Sequence, residues 1–272
     1  MTILEALNYG SKQLSFAQSP KKEAALLMSF LLKKDRKWIL LNEDKEFLRA
    51  YEFFDLVNKR ANKMPLEYIL GSVSFYSKEF EIKEGVLIPR PETELLIDRA
   101  VELLKDLNSP LIIEIGTGSG VVAIMLATLL KDSKIVATDI SLKAIALAKR
   151  NAQLHGVSEK ITFVHTSMLD GISGEFDLLV SNPPYISNDA KLDDSVLQEP
   201  HLALFGGDTG DEFLKELIFK AKEKRVSKYI ACEMGYDQKE AMKETLNAAK
   251  ASLVSFYKDL AGLDRGFSAM LF

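Results

Sequence analysis

A four-residue motif, Asn182-Pro183-Pro184-Tyr185, combines residue types that suit the binding of a planar NH₂ group. Pro183 restricts Asn182 to an extended conformation, and Pro184 does the same to Pro183, so this loop is expected to be stiff. Neither proline has an N–H, which leaves the Asn182 side-chain oxygen and the Pro183 carbonyl as two neighbouring acceptors. Tyr185 adds a flat aromatic face. We predict that all four residues bind the substrate and that Asn182, Pro183 and Tyr185 are catalytic.

The reaction that this motif favours is substitution on an amide or exocyclic amine nitrogen. Such a nitrogen is a poor nucleophile because its lone pair is delocalised. Two acceptors that hold both N–H bonds favour a more localised lone pair, and alignment of the reactants can itself remove ~7–11 kcal/mol of the barrier. The alternative interpretation is that the two prolines only form a rigid surface turn.

A glycine-rich loop, "EIGTGSG", places Gly116, Gly118 and Gly120 between a predicted strand and a predicted helix. Glycines let the backbone turn tightly and approach a ligand, while the helix N-terminus offers free N–H groups. The spacing is G-x-G-x-G rather than the dinucleotide fingerprint G-x-G-x-x-G, which argues against a dehydrogenase. It favours a nucleoside without a pyrophosphate, and S-adenosylmethionine is the candidate. We predict that this glycine loop contacts the cofactor.

Asp139 lies nineteen residues after Gly120, at the end of the next predicted strand. A carboxylate in that position can accept hydrogen bonds from both ribose hydroxyls. The methyl group of a sulfonium is already activated, so transfer to an NH₂ group needs no strong base and leaves S-adenosylhomocysteine as product. The alternative for the glycines is a tight strand-to-helix turn that binds nothing.

The predicted elements fall into three regions. Apolar residues at three- and four-residue intervals predict a helical bundle over residues 1–66, and aromatic and β-branched residues predict a β-hairpin linker over 67–90. Over residues 91–272, short apolar strands alternate with helices, which predicts a doubly wound, mostly parallel sheet of seven strands. The last two strand-like runs have no helix between them, so the last strand should be antiparallel.

Composition limits the class of protein. The 272 residues are 47% hydrophobic and 27% charged, and the longest apolar run, of ten residues, is too short to span a membrane. The only cysteine is Cys232, and three scattered histidines show no metal-ligand spacing, so we predict neither a disulfide nor a metal site. Residues 81–272 carry 22 Lys and Arg against 29 Asp and Glu, which disfavours non-specific nucleic-acid binding. No signal peptide is recognised, and we expect a cytoplasmic monomer.

Six motifs carry a resemblance to a known family: "IPRPETE", "EIGTGSG", "DIS", "SNPPYI", "EPHLALFGGDTG" and "KDLAGLDRG". In order and spacing the chain closely resembles the HemK-type protein-(glutamine-N5) methyltransferases of bacterial peptide chain release factors, over essentially its whole length. The resemblance implies methylation of the glutamine in the Gly-Gly-Gln motif of class 1 release factors. It also implies that Asn182 lies between cofactor and substrate, in contact with both, and that residues 1–66 recognise the substrate. The other cofactor-binding residues that it implies are Gly116, Thr117, Gly118, Ser119, Gly120 and Asp139.

The same resemblance adds two pairs of candidate residues. Arg90 and Glu92 of "PRPE" would shape the cofactor-side wall, or else only buttress it. After the third strand, family members often carry an acidic residue and a large apolar one, but this chain has Ser167 and Met168. Met168 can pack against the adenine, whereas Ser167 would make a weaker hydrogen bond than a carboxylate.

Two alternatives from other classes are open to the same residues. The first is an amino-group methyltransferase of nucleic acid, acting on adenine N6 or guanine N2, where the Asn-Pro-Pro-Tyr motif also serves. The acidic charge of residues 81–272 and the match of "IPRPETE" disfavour it. The second is a module that only senses S-adenosylmethionine, which would have no use for the paired acceptors. We therefore predict a release factor as partner, with no membrane and no direct nucleic-acid contact.

Overall fold

The computed structural model describes residues 1–272, which divide into two compact units. The first unit comprises Met1–Ser72 and Leu192–Gln198, and the second comprises Val73–Lys191 and Glu199–Phe272. No helix in either unit combines the length and apolar character needed to cross a membrane.

The first unit is a bundle of helices around a core that includes Leu27, Met28 and Phe53. Thr2 and Glu5 form a capping box that begins the first helix. A short helix begins after Asp35, whose side chain accepts a hydrogen bond from the Trp38 N–H. The helices are α1 (Ile3–Gln13), α2 (Pro20–Leu32), α3 (Arg36–Leu41), α4 (Ala50–Ala61) and α5 (Leu66–Leu70).

A hairpin of β1 (Ser72–Phe75) and β2 (Lys78–Glu81) stands at the start of the second unit. Its first residue, Ser72, still belongs to the first unit. A seven-stranded sheet follows, with the order β10-β11-β9-β6-β3-β4-β5. The strand β11 is antiparallel to both neighbours, while the other paired strands of this sheet are parallel. The sheet strands are β3 (Leu111–Ile115), β4 (Lys134–Asp139), β5 (Ile161–His165), β6 (Phe176–Ser181), β9 (Ser227–Glu233), β10 (Ser252–Lys258) and β11 (Asp264–Met270).

Helices cover both faces of this sheet, so neighbouring residues of a strand pack alternately into a hydrophobic core on one face and into a second core on the other. Ile112 packs in a cluster with α6 and α7, while Ile113 packs in a second cluster with α10 and α11. A second two-stranded sheet, β7 (Ile186–Ser187) with β8 (Phe205–Gly207), flanks the motif at 182–185. The helices of this unit are α6 (Thr93–Leu104), α7 (Val121–Leu129), α8 (Leu142–Leu154), α9 (His201–Leu204), α10 (Glu212–Glu223) and α11 (Lys239–Ala248).

The predicted fold class is confirmed, including the doubly wound arrangement and the reversed last strand. Two local details differ from the sequence prediction. The hairpin covers residues 72–81 only, since α5 occupies Leu66–Leu70. Proline suits the first turn of a helix, which from the sequence would place Pro91 there, but Pro91 precedes α6 and Glu92 is the N-cap residue. The domain boundaries at 66 and 90 stay predictions.

Candidate active site

Most of the predicted site residues lie at one edge of the sheet. The adjacent strands β9, β6, β3 and β4 are parallel, so their carboxyl ends meet at the same edge. The glycine loop follows β3, Asn182 follows β6, and Asp139 ends β4. Glu233, which sequence analysis did not select, ends β9 at the same edge.

The glycine loop is held by hydrogen bonds to β4. The N–H groups of Gly116 and Thr117 donate to the Thr138 carbonyl at 2.9 and 2.8 Å, and the Gly118 N–H donates to the Asp139 carboxylate at 2.8 Å. The three loop glycines, at 116, 118 and 120, have positive φ of 74°, 56° and 87°, a conformation that favours glycine. The loop shape therefore depends on glycine and on the second strand together.

The three glycines differ in what surrounds them. A Cβ atom added to Gly116 or Gly118 would meet nothing within 4 Å, so these positions face open space. A Cβ on Gly120 would lie 3.0 Å from the Cβ and 3.1 Å from the Cα of Ala148 on α8. Gly120 therefore has a packing reason to be glycine, and its role in cofactor binding stays a prediction.

A buried acid, Glu114, lies beneath this loop and was missed by the sequence analysis. The Thr117 hydroxyl donates to it at 2.6 Å. Burial raises the pKa of Glu114 to about 7, while the Thr117 hydrogen bond opposes the shift and Asp139 adds to it. The signal was visible in the sequence, since a charged residue inside "LIIEI" occupies a position that should be buried.

The Asp139 carboxylate accepts a second hydrogen bond, from the Ser141 N–H at 2.7 Å, beside the bond from Gly118. Burial raises the pKa of Asp139, and these two N–H groups lower it. A carboxylate has more acceptor positions than these two bonds use. Together with Glu114, it places two acidic side chains at the glycine loop.

Asn182 is held by a network of side chains from three separate segments. Its Nδ2 donates to the Thr93 hydroxyl at 2.9 Å, and Thr93, the first residue of α6, donates to Glu233 at 2.8 Å. The Tyr185 hydroxyl donates to the other Glu233 oxygen at 2.9 Å. The predicted substrate residues Asn182 and Tyr185 are thus joined through one buried carboxylate.

The electrostatics of this network follow from burial. Burial raises the pKa of Glu233 to about 7, against the lowering effect of the hydrogen bonds from Thr93 and Tyr185. Burial and the nearby Glu233 also raise the pKa of Tyr185. Tyr185 is therefore a neutral donor near pH 7.

The Pro183-Pro184 turn is packed on its far side by the "LFGG" segment. The Tyr185 carbonyl accepts a hydrogen bond from Gln238 at 2.8 Å, and Ile186 pairs with Phe205. A Cβ on Gly206 would lie 2.5 Å from the Pro184 carbonyl oxygen, closer than any side chain permits. Because residue 206 is a glycine, the "LFGG" segment can approach the Asn-Pro-Pro-Tyr motif this closely.

Arg90 and Glu92, the two candidates from "PRPE", have no hydrogen bond to the glycine loop or to the Asn182 network. Arg90 pairs with the buried Glu199 at 2.5 Å, and Glu199 also accepts from the Ile88 N–H at 2.9 Å. This pair ties two segments together, in agreement with the buttressing alternative for Arg90. The cofactor-wall role of Arg90 and Glu92 stays a prediction.

Ser167 and Met168, which follow β5 after Thr166, differ from each other in exposure. Ser167 is exposed, whereas Met168 is buried, has a φ of 45° and contacts the Lys220 amine through its sulfur at 3.8 Å. Thr117 and Ser119 are both buried, with 4% and 3% of their surface exposed. Contacts of these four residues with a cofactor stay predictions.

Comparison with known proteins places this arrangement in a family. A family model described as "Methyltransferase small domain" matches residues 92–200, and one described as "PrmC N-terminal domain" matches residues 5–71. A ribosomal protein L11 methylase from Lactobacillus delbrueckii subsp. bulgaricus shares the fold, with a TM-score of 0.52 and 22% identity over 69% of this chain and 82% of that chain. The N-terminal domain of human METTL16, solved with SAH, has a TM-score of 0.54 and 21% identity over 71% of this chain and 75% of that chain.

Sequence relatives are more similar. The release factor glutamine methyltransferase of Clostridium botulinum is 37% identical over 98% of this chain and 95% of its own length. That of Chlorobaculum tepidum is 38% identical over 92% of this chain and 90% of its own length. Since relatives of this similarity cover nearly the whole chain, it belongs to the release factor glutamine methyltransferase family.

Proposed function

We propose that this chain transfers a methyl group from S-adenosylmethionine to the side-chain amide nitrogen of the glutamine in the Gly-Gly-Gln motif of class 1 release factors. The observation that carries the proposal is the position of Asn182. It follows β6 directly, beside the glycine loop that follows β3, and its amide is held by Thr93.

The residues at the glycine loop fit this cofactor. Gly116 and Gly118 leave open space where a nucleoside can approach the backbone. Asp139 has acceptor capacity for ribose hydroxyls, because its carboxylate uses only two acceptor positions on the Gly118 and Ser141 N–H groups. When bound, the cofactor supplies an electrophilic methyl group on a positively charged sulfur.

The contribution of the Asn182 loop is to hold and orient the substrate nitrogen. The Asn182 oxygen and the Pro183 carbonyl accept its two N–H bonds, so that its lone pair is directed at the methyl carbon. With S-adenosylmethionine bound, the substrate nitrogen held in this way would accept the methyl group, S-adenosylhomocysteine would leave with the electron pair on sulfur, and the nitrogen would release a proton to water. No side chain has to remove that proton first, because the attacking nitrogen is neutral.

The experiment that tests this function offers the protein a choice of substrates. The protein and S-adenosylmethionine are incubated with class 1 release factors and, separately, with RNA and DNA, and mass spectrometry locates the added methyl group. We expect one methyl group on the glutamine of the Gly-Gly-Gln motif. A methyl group found only on nucleic acid would contradict the proposal and favour the amino-group methyltransferase of nucleic acid.

We further propose that the helical domain, residues 1–66, recognises the release factor outside the Gly-Gly-Gln motif. Leu48 and Tyr51 support this, because 83% and 89% of their surface is exposed in the first unit. In the full chain, Leu48→Ser with Tyr51→Ser should raise KM for a release factor about tenfold, the equivalent of ~1.4 kcal/mol. KM for a short Gly-Gly-Gln peptide should not change.

The matched control for this double variant is Leu154→Ser, an exposed leucine at the end of α8. It should leave both KM values unchanged. Equal KM values for the release factor in the double variant and the wild type would contradict the recognition role.

A further inference from the structure

A buried hydrogen-bond chain determines which end of the Asn182 amide is free. Thr93 and Glu233 are only 2% and 1% exposed, so water cannot replace their partners. The Thr93 oxygen lies 2.9 Å from Asn182 Nδ2 and 2.8 Å from a Glu233 oxygen. Neither Thr93 nor Glu233 belongs to the Asn-Pro-Pro-Tyr motif.

The direction of these bonds follows from counting protons. An ionised carboxylate can only accept, so the single hydroxyl proton of Thr93 must be donated to Glu233. The Thr93 oxygen can then only accept, and the group of Asn182 that faces it must be the NH₂. The Asn182 oxygen is consequently directed away from Thr93.

We propose that Thr93 and Glu233 are positioning residues that fix the Asn182 amide with its oxygen toward the substrate. The inference rests on the proposed function, since an NH₂ substrate needs an acceptor at this point. An amide turned by 180° would place its own NH₂ against the NH₂ of the substrate, and two donors cannot pair.

Protonation of Glu233 should remove this preference. A protonated carboxyl can donate to Thr93, which frees the Thr93 proton for the Asn182 oxygen and permits the reversed amide. Burial raises the pKa of Glu233 to about 7, so kcat should fall as the pH decreases through that region. The groups that face Glu233 are Thr93 and Tyr185, which donate to it, Glu92, which raises its pKa, Arg265, which lowers it, and Tyr257, whose own pKa Glu233 helps to raise.

The test compares Thr93→Val, which keeps the shape but loses the hydroxyl, with Thr93→Ser, which keeps the hydroxyl. We expect kcat to fall roughly 10- to 100-fold in Thr93→Val, as for other residues that hold a reacting group in place. The acid limb of its pH profile should also disappear, because Glu233 no longer reaches Asn182. Thr93→Ser should restore both kcat and the acid limb.

The control is Thr245→Val, which removes a buried threonine hydroxyl on α11 that bonds the Ala241 carbonyl at 2.8 Å. It should leave kcat and the pH profile unchanged. If Thr93→Val matches this control in both, the positioning role is wrong.

A second measurement needs no substrate and keeps the two proposals separate. In protein labelled with ¹⁵N-asparagine, the Asn182 side-chain signals are assigned by their loss in Asn182→Ala. One Nδ2 proton should exchange slowly in the wild type and Thr93→Ser, and quickly in Thr93→Val. Unchanged exchange in Thr93→Val would overturn the inference, whereas a wild type that methylates no release factor would overturn the proposed function.

Discussion

The glycine loop and the Asn182 loop lie side by side, after the paired strands β3 and β6, yet they are built differently. The glycine loop is shaped mainly by its own backbone, with positive φ at three glycines and N–H groups that donate to the Thr138 carbonyl and to the Asp139 carboxylate. The Asn182 loop depends on side chains from distant segments, because Thr93 and Glu233 lie 89 and 51 positions away along the chain. A cofactor shared by many enzymes can be bound by a local backbone shape. An amide that must present one particular atom needs several independent elements to hold it.

The largest expected effect separates the two regions directly. Asn182→Ala removes one of the two acceptors for the substrate nitrogen, so turnover should fall roughly 100- to 1,000-fold. The dissociation constant for S-adenosylmethionine, measured by calorimetry, should change less than about threefold, because the glycine loop is intact. Full methylation activity in this variant would contradict the mechanism, and loss of cofactor binding would show that the two regions are not independent.

This difference also explains how far the sequence could predict the site. The fold and the glycine loop follow from local patterns, namely short apolar strands, intervening helices and closely spaced glycines. Thr93 lies inside the quoted "IPRPETE" and Glu233 inside "KYIACEM", but nothing local indicates that they meet. Their contact depends on β9 lying beside β6 and on α6 packing against both strands, and both are features of the tertiary structure.

Within the glycine loop, two substitutions should differ in their main effect, which is on stability for Gly120→Ala and on cofactor binding for Gly118→Ala. Gly120→Ala forces a Cβ against Ala148, and overpacking of this kind typically lowers the free energy of unfolding by ~1–3 kcal/mol. Gly118→Ala meets no neighbour, so it should cost only ~1 kcal/mol for its positive φ. It should nevertheless weaken cofactor binding, because the added methyl group occupies the open space.

The measurements for this pair are urea unfolding and calorimetric titration with S-adenosylmethionine. Gly71→Ala is the control, since its φ is 74° and no atom lies within 4 Å of the added Cβ, but it is in the first unit. It should show the ~1 kcal/mol cost of positive φ with unchanged cofactor affinity. A Gly118→Ala variant with wild-type affinity would mean that the open side of the loop is not where the cofactor binds.

The smallest expected effect is on the pH dependence of stability, and it concerns the two buried acids, Glu114 under the glycine loop and Glu233 behind Asn182. Burial raises the pKa of each to about 7, well above the ordinary 4.5 of glutamate. Between these values the folded state binds more protons than the unfolded state, so the free energy of unfolding falls as the pH rises. The expected decline is roughly 1 kcal/mol per pH unit for each acid.

Glu114→Gln should remove one of these two contributions and reduce the slope between pH 5 and 7 by roughly 1 kcal/mol per pH unit. The exposed Glu175→Gln should leave the slope unchanged. At saturating cofactor, Glu114→Gln should also keep the acid limb of kcat, because Glu114 has no hydrogen bond to the Asn182 network. If the acid limb were lost with Glu114, the titrating group would lie under the glycine loop. Orientation of the substrate nitrogen would then depend on the glycine loop and not on the Asn182 network.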